Sequence, residues 1–187
     1  MANEPRIKGV SLYNHLEFVT KTFGEPGTAA VLARVPPRSV EAIKASVAFE
    51  WYPLQAIADL DQAIVETHYG GDASQSWRMG AYSFEKHVTT IYRVLMHTLQ
   101  TGFVLKKAGA LAARVVEGST IVISQDGPGS ALIKMGGYDS PSPVFCHLVR
   151  GCMMGVLFGC GHQDATVDHV RCDPSPRGAC EYRARWR

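Results

Sequence analysis

The chain has 187 residues, 46% of them hydrophobic and 19% charged, with a formal net charge of +2. That length suits one domain with a sizeable core. The near-neutral balance gives no grounds for a nucleic-acid or anionic-membrane partner, and no apolar run reaches the roughly 18–20 residues that span a bilayer. The opening Met-Ala-Asn-Glu-Pro-Arg is polar and unlike a secretory leader, so a cytoplasmic setting is expected.

In chain order, the first two-thirds reads as helical. Leu12, Leu16, Phe18, Val19 and Phe23 predict a short helix stopped near Gly24 and Pro26, and a second stretch covers Thr28 to Arg34, ended by Pro36 and Pro37. Ser39 to Ala48 predicts another turn or two. Pro53 suits the first turn of a longer helix, where a missing N–H costs little. Leu54, Ile57, Ala58, Asp61, Ile64, Val65 and His68 then follow helical spacing up to Gly70-Gly71. Asp59 and Asp61 read as part of a solvated face. Asp72 with Gln75 resembles a capping box leading to Trp77. Phe84, Val88, Ile91, Leu95 and Leu99 mark one face of an amphipathic helix that Gly102 and Gly109 would bend or interrupt.

After Arg114 the texture becomes β-branched. Thr120–Ser124 and Ala131–Met135 predict a hairpin around the turn Asp126-Gly127-Pro128-Gly129. Ser142 as cap and Pro143 at the first helical position start a helix to about Phe158. Strands at Ala165–Arg171 and Cys180–Trp186 follow, joined by a Pro/Gly loop. Alternating Arg183, Arg185 and Arg187 fit a strand's wet face. The fold class expected is therefore α+β in one domain. A mainly helical part (1–113) packs on a four-stranded antiparallel sheet with a β-β-α-β-β half (114–187), the helix crossing between the two hairpins.

All five cysteines lie at or after position 146. Cys172 and Cys180 bracket the last hairpin loop, His169 stands three residues before Cys172, and Cys146 sits in the first turn of the Ser142-capped helix. Tetrahedral zinc takes four Cys, His or carboxylate ligands, so a structural zinc on Cys146, His169, Cys172 and Cys180 is expected. A reducing cytosol favours metal over disulfides. A Cys172–Cys180 disulfide, unpaired core thiols, or a thiol-redox switch on that pair are the alternatives. Cys152 and Cys160 read as core fillers, and His162 and Asp168 as substitute ligands or surface polar groups. Gly151, Gly155 and Gly159 form a small-residue ridge for close packing of the Cys146 helix.

The pattern Pro143-x-x-Cys146, Gly151-x-x-x-Gly155, His169-x-x-Cys172, Gly178-x-Cys180-Glu181-Tyr182 and Trp186 resembles the bacterial 4-vinyl-reductase domain family. That family is grouped with haem-NO-binding-associated and TRAPP transport-subunit folds. The resemblance implies a zinc site beside a pocket, with Cys146, Cys172 and Cys180 on the cysteine ligands and His169 in place of an acidic one. It also implies a homodimer. Related aromatic sensors hold a phenol hydroxyl with a pocket His and Trp, which makes His97 and Trp77 candidates, with Tyr92, Met96, Phe103 and Phe145 as further lining. No P-loop, G-x-S-x-G or G-x-G-x-x-G motif points to an enzyme. The expected function is a non-enzymatic sensor or adaptor that holds a small hydrophobic or aromatic molecule between helices and sheet and acts on an unidentified protein partner. The alternatives are a TRAPP-like interaction scaffold without ligand, or an accessory of tetrapyrrole reduction.

Overall fold

A computed structural model of the chain describes residues 5–87, 96–137, 142–173 and 178–187. Short strand β1 (Arg6–Lys8) pairs antiparallel with β2 (Trp51–Pro53), a ribbon that the sequence does not signal. Helix α1 (Gly9–Leu32) is broken at Gly24, whose φ of 73° only glycine adopts readily. This is the stop expected near Gly24 and Pro26. Helices α2 (Pro37–Lys44) and α3 (Leu54–His68) follow, and a 3-10 turn (Ala73–Ser76) capped by the Asp72 side chain leads into α4 (Trp77–His87). Helix α5 (Thr101–Ala112) is a separate element. The chain leaves helix at Leu99 and Gln100, so Gly102 and Gly109 do not interrupt the preceding helix. They lie within α5, where an added Cβ would fall 2.6 Å from Gln125 and 3.2 Å from Ile121, respectively, letting α5 seat directly on the sheet.

The sheet runs in the order β3-β4-β6-β5, all antiparallel: β3 (Thr120–Gly127), β4 (Ser130–Gly136), β5 (Thr166–Cys172) and β6 (Cys180–Arg185). Helix α6 (Pro143–Gly159) joins the two hairpins, as expected. Cys180, Tyr182 and Ala184 alternate inward along β6, while Arg183 and Arg185 face outward and pair with Asp126 and Asp168. Among the described residues, no helix is long and apolar enough to cross a membrane.

Helix α6 carries most of the tertiary organisation. Its glycine ridge lies against α4. A Cβ on Gly151 would fall 1.9 Å from the Trp77 carbonyl oxygen, and one on Gly155 would fall 2.9 Å from Phe84. Gly80 of α4 reciprocates, 2.0 Å from the Leu148 carbonyl oxygen. The opposite side of α6 faces the sheet, where the Arg150 guanidinium donates to the Val167 carbonyl (2.7 Å). The core is continuous across the two halves, from Leu12, Ile57 and Leu60 through Met79 and Leu157 to Ile133 and Tyr182.

One expectation fails inside that core. Asp61 is not solvated: its side chain is fully buried on α3 and bonds the Nδ1 of buried His15 on α1 at 2.6 Å. Burial pushes the Asp61 carboxyl upward, opposed by His15, and its Oδ2 has no hydrogen-bond partner. Removing one member of such a pair strands the other, at about 3–5 kcal/mol, whereas replacing both with apolar groups is often close to neutral. We therefore expect His15→Leu and Asp61→Leu each to destabilise the chain by about that amount, with the double variant recovering most of the loss. Urea unfolding of the three variants checks this, and simple additivity would count against it.

Candidate functional site

The four C-terminal residues singled out by the sequence converge. Cys146 is placed by the start of α6. The Ser142 hydroxyl accepts from the Phe145 N–H, the Cys146 N–H bonds the Ser142 carbonyl at 3.0 Å, and Ser76 donates to the Val144 carbonyl at 2.7 Å. Cys172 and Cys180 are direct cross-strand partners at the loop end of the β5–β6 hairpin. His169 reaches the same face through a bulge. In a regular strand, residues three apart point to opposite faces. The register shifts between His169 and Arg171, which reverses the parity and leaves Val170 exposed.

The ligating atoms of Cys146, His169, Cys172 and Cys180 all lie within 4.8 Å of one another. The Cys146 Sγ is 3.3 Å from that of Cys172 and 3.4 Å from that of Cys180, and His169 Nε2 is 3.2 Å from Cys172 Sγ. Tyr182 supports the group from beneath. Its hydroxyl donates to the Cys146 carbonyl (3.1 Å), and the His169 ring stacks on it with centroids 5.0 Å apart. Burial raises the Cys146 thiol above its ordinary range and lowers the His169 imidazole below its own, so both groups favour their neutral forms.

Cys172 and Cys180 are joined by a disulfide. That bond is one of the alternatives the sequence offered, and the same four side chains also form a group that could hold a metal ion. Cys152 and Cys160 are free thiols, half-buried and buried, and burial raises both. The substitute ligands are engaged elsewhere: His162 bonds Thr101 and the Arg187 carbonyl, and Asp168 pairs with Arg185.

The six residues expected to line a ligand pocket differ in burial. Met96 and Phe145 are sealed in the core, Trp77 is half-buried, and His97 and Phe103 are exposed. Tyr92 lies outside the described residues. A cleft of about 400 Å³ opens beside the disulfide, lined by Lys134, Arg171, Cys172, Asp173, Ala179 and Glu181. Glu181 bonds both Lys134 and Arg171 at 2.9 Å, with Arg171 the stronger influence in holding its carboxyl down at about 2. Sequence reasoning missed Tyr182, Arg150 and this cleft.

No family model matches the chain, and no curated protein does. Solved structures do match. An Fe(II) unliganded H-NOX protein from K. algicida is 13% identical, with 97% of each chain covered and a TM-score of 0.72. An H-NOX protein from S. oneidensis in the Fe(II)NO ligation state is 13% identical, with 97% of this chain and 99% of that one covered and a TM-score of 0.70. A structure solved to probe haem distortion in the H-NOX family is 8% identical, with 97% and 95% covered and a TM-score of 0.69.

What these proteins share with this chain is the fold. The likeness overturns the resemblance to the 4-vinyl-reductase and TRAPP-subunit group. The readings that hung on that resemblance alone, a scaffold or an accessory of tetrapyrrole reduction, lose their footing with it. The neighbours are described by iron and haem, not zinc, and this corrects the expectation of a structural zinc cofactor.

Closing an eight-residue separation by a disulfide stabilises the folded state by roughly 2–3 kcal/mol in the chain-entropy picture. Reduction of the purified chain is therefore expected to lower its Tm by about 5–10 °C. Calorimetry with and without reductant reads this directly. An unchanged Tm would remove the disulfide from the list of supports.

Proposed function

We propose that this chain is a non-enzymatic sensor or adaptor domain whose responsive element is the sulfur cluster Cys146, Cys172 and Cys180 with His169. The observation that carries the reading is the convergence of three sulfurs and an imidazole at the one place where α6, β5 and β6 meet. The pair Cys172 and Cys180 is the redox couple. Its oxidation by a hydroperoxide ROOH removes two electrons and two protons from the thiols, forms the S–S bond, and releases ROH and water. Cys146 in contact with both sulfurs makes the state of the hairpin felt at the first turn of α6. From there the rigid glycine seam leads to α4 and the helical half. A change of state at the hairpin then acts as a population shift at a distance. The output would pass to a protein partner or to a second copy of the chain.

Haem is suggested by the neighbours. Haem needs an axial donor such as His, Cys, Met or Tyr facing a slot wide enough for the macrocycle. Six histidine side chains are described, and four of them have hydrogen-bond partners. His15 is bonded to Asp61, and His68 is stacked on Phe23 with centroids 3.8 Å apart. His162 bridges Thr101 and the Arg187 carbonyl, and His147 lies edge-on to His169 with its buried Nδ1 without a hydrogen-bond partner. His169 touches Cys172, and His97 is exposed. Helix α5, which covers the sheet, carries no His, Cys, Met or Tyr. Among the described residues no histidine is shown facing a slot for the macrocycle.

Hydrogen exchange on the full chain, poised oxidised or reduced, tests the proposal. Protection in 143–159 and 77–87 is expected to differ between the two states. Identical exchange, or failure of peroxide to form the Cys172–Cys180 bond, would sink it. In parallel, titration with hemin is expected to leave only the broad spectrum of free or loosely adsorbed haem. A sharp, stoichiometric Soret band would revive the haem reading.

A further inference from the structure

The two residues of the disulfide differ in exposure. Cys180 is 1% exposed and Cys146 2%, whereas Cys172 is half-buried and lines the cleft of about 400 Å³. A thiolate attacks a disulfide along the S–S axis, so the sulfur that can be approached from outside decides the direction of the reaction. Here that sulfur is Cys172, and the leaving sulfur is Cys180, directed inward.

The cleft has a rim of both signs. Lys134 and Arg171 stand across Glu181, which binds each at 2.9 Å, and Asp173 is the second carboxylate. Two cations and two anions favour neither a simple anion nor a simple cation. They suit a molecule that carries an ammonium and carboxylates together, each able to exchange with one partner of the rim. A volume of about 400 Å³ is in the range of small-molecule sites and accommodates an amino-acid or short-peptide thiol.

We propose that this cleft docks a small zwitterionic thiol of the cysteine or glutathione class and directs it onto Cys172, making Cys172 the site of reversible S-thiolation. The inference rests on the sulfur-cluster reading above and supplies its reductant. In the first step the incoming thiolate RS⁻ forms a bond to Cys172 Sγ and the Cys172–Cys180 bond breaks. The electron pair goes to Cys180 Sγ, where the Cys146 thiol at 3.4 Å is placed to donate a hydrogen bond to the new thiolate. In the second step another RS⁻ attacks the sulfur of the bound R group, RSSR leaves, and Cys172 is released as a thiolate. Two protons from solvent complete the two-electron reduction, and two RSH have become one RSSR.

The test uses the wild-type full chain. Alkylation under denaturing, non-reducing conditions, followed by peptide mapping, first establishes the bond. Protection of Cys172 and Cys180 alone is expected, and alkylation of both would overturn the cluster reading and this inference together. The folded, oxidised protein is then exposed briefly to glutathione, cysteine or 2-mercaptoethanol, acid-quenched, alkylated and mapped. The expected product carries the thiol on Cys172 and the alkyl group on Cys180. Glutathione and cysteine should react several-fold faster than 2-mercaptoethanol at matched thiolate concentration, and the exposed-site variant Lys134→Gln should narrow that difference. An adduct on Cys180, adducts divided between the two, equal rates for the three thiols, or reaction only in denaturant would overturn the inference while leaving the disulfide itself intact.

Discussion

The close approach of α6 to α4 is the constraint on which the rest of the structure depends. Gly151 and Gly80 put backbone against backbone, each with a carbonyl oxygen of the other helix where its Cβ would stand. No other side chain fits there without moving one of the helices. The approach fixes α6 in rotation as well as distance. With its glycine side turned to the helical half, Cys146 and Arg150 meet the sheet, where the Cys146 carbonyl accepts from Tyr182 and Arg150 reaches Val167. A single helix is thus gripped from both sides, and the sulfur cluster sits at the end of it that the sheet holds.

That arrangement accounts for the divergence from the fold's solved relatives. A fold can be kept at 8–13% identity because it needs only the pattern of apolar faces and the close approaches, not particular side chains. What a site does depends on side chains. Here the chemically distinctive residues Cys146, His169, Cys172 and Cys180 gather at the loop end of the last hairpin. The same fold therefore presents its reactive groups at the edge of the molecule, where a cleft gives solvent access to one sulfur and the core protects the other two.

The buried His15–Asp61 pair belongs to another kind of constraint. It adds a polar contact between α1 and α3 in an otherwise apolar region, with one carboxylate oxygen unpartnered. Such a pair is a poor source of net stability, since desolvation offsets most of the attraction. It discriminates among packings, because any rotation of α1 against α3 that separates the two leaves both unsatisfied.

Much of the fold was legible because it follows from local rules. Ser142-Pro143 marks the start of α6, Gly24 the break in α1, and Thr120–Ser124 with Ala131–Met135 the first hairpin; each rests on backbone chemistry within a few residues. The cysteine asymmetry was enough to bring Cys146, His169, Cys172 and Cys180 to one place. The core position of Asp61 and the different exposures of His97, Trp77, Met96, Phe103 and Phe145 were not legible. Each depends on what faces the residue from another element. The bulge at Val170 decides which way His169 points, and α1 decides that Asp61 is buried. A one-dimensional pattern specifies periods, caps and turns, because those are short-range steric and hydrogen-bonding preferences. Partnership and access are set by distances between residues far apart in the chain, which exist only once the helices and the sheet have closed on one another.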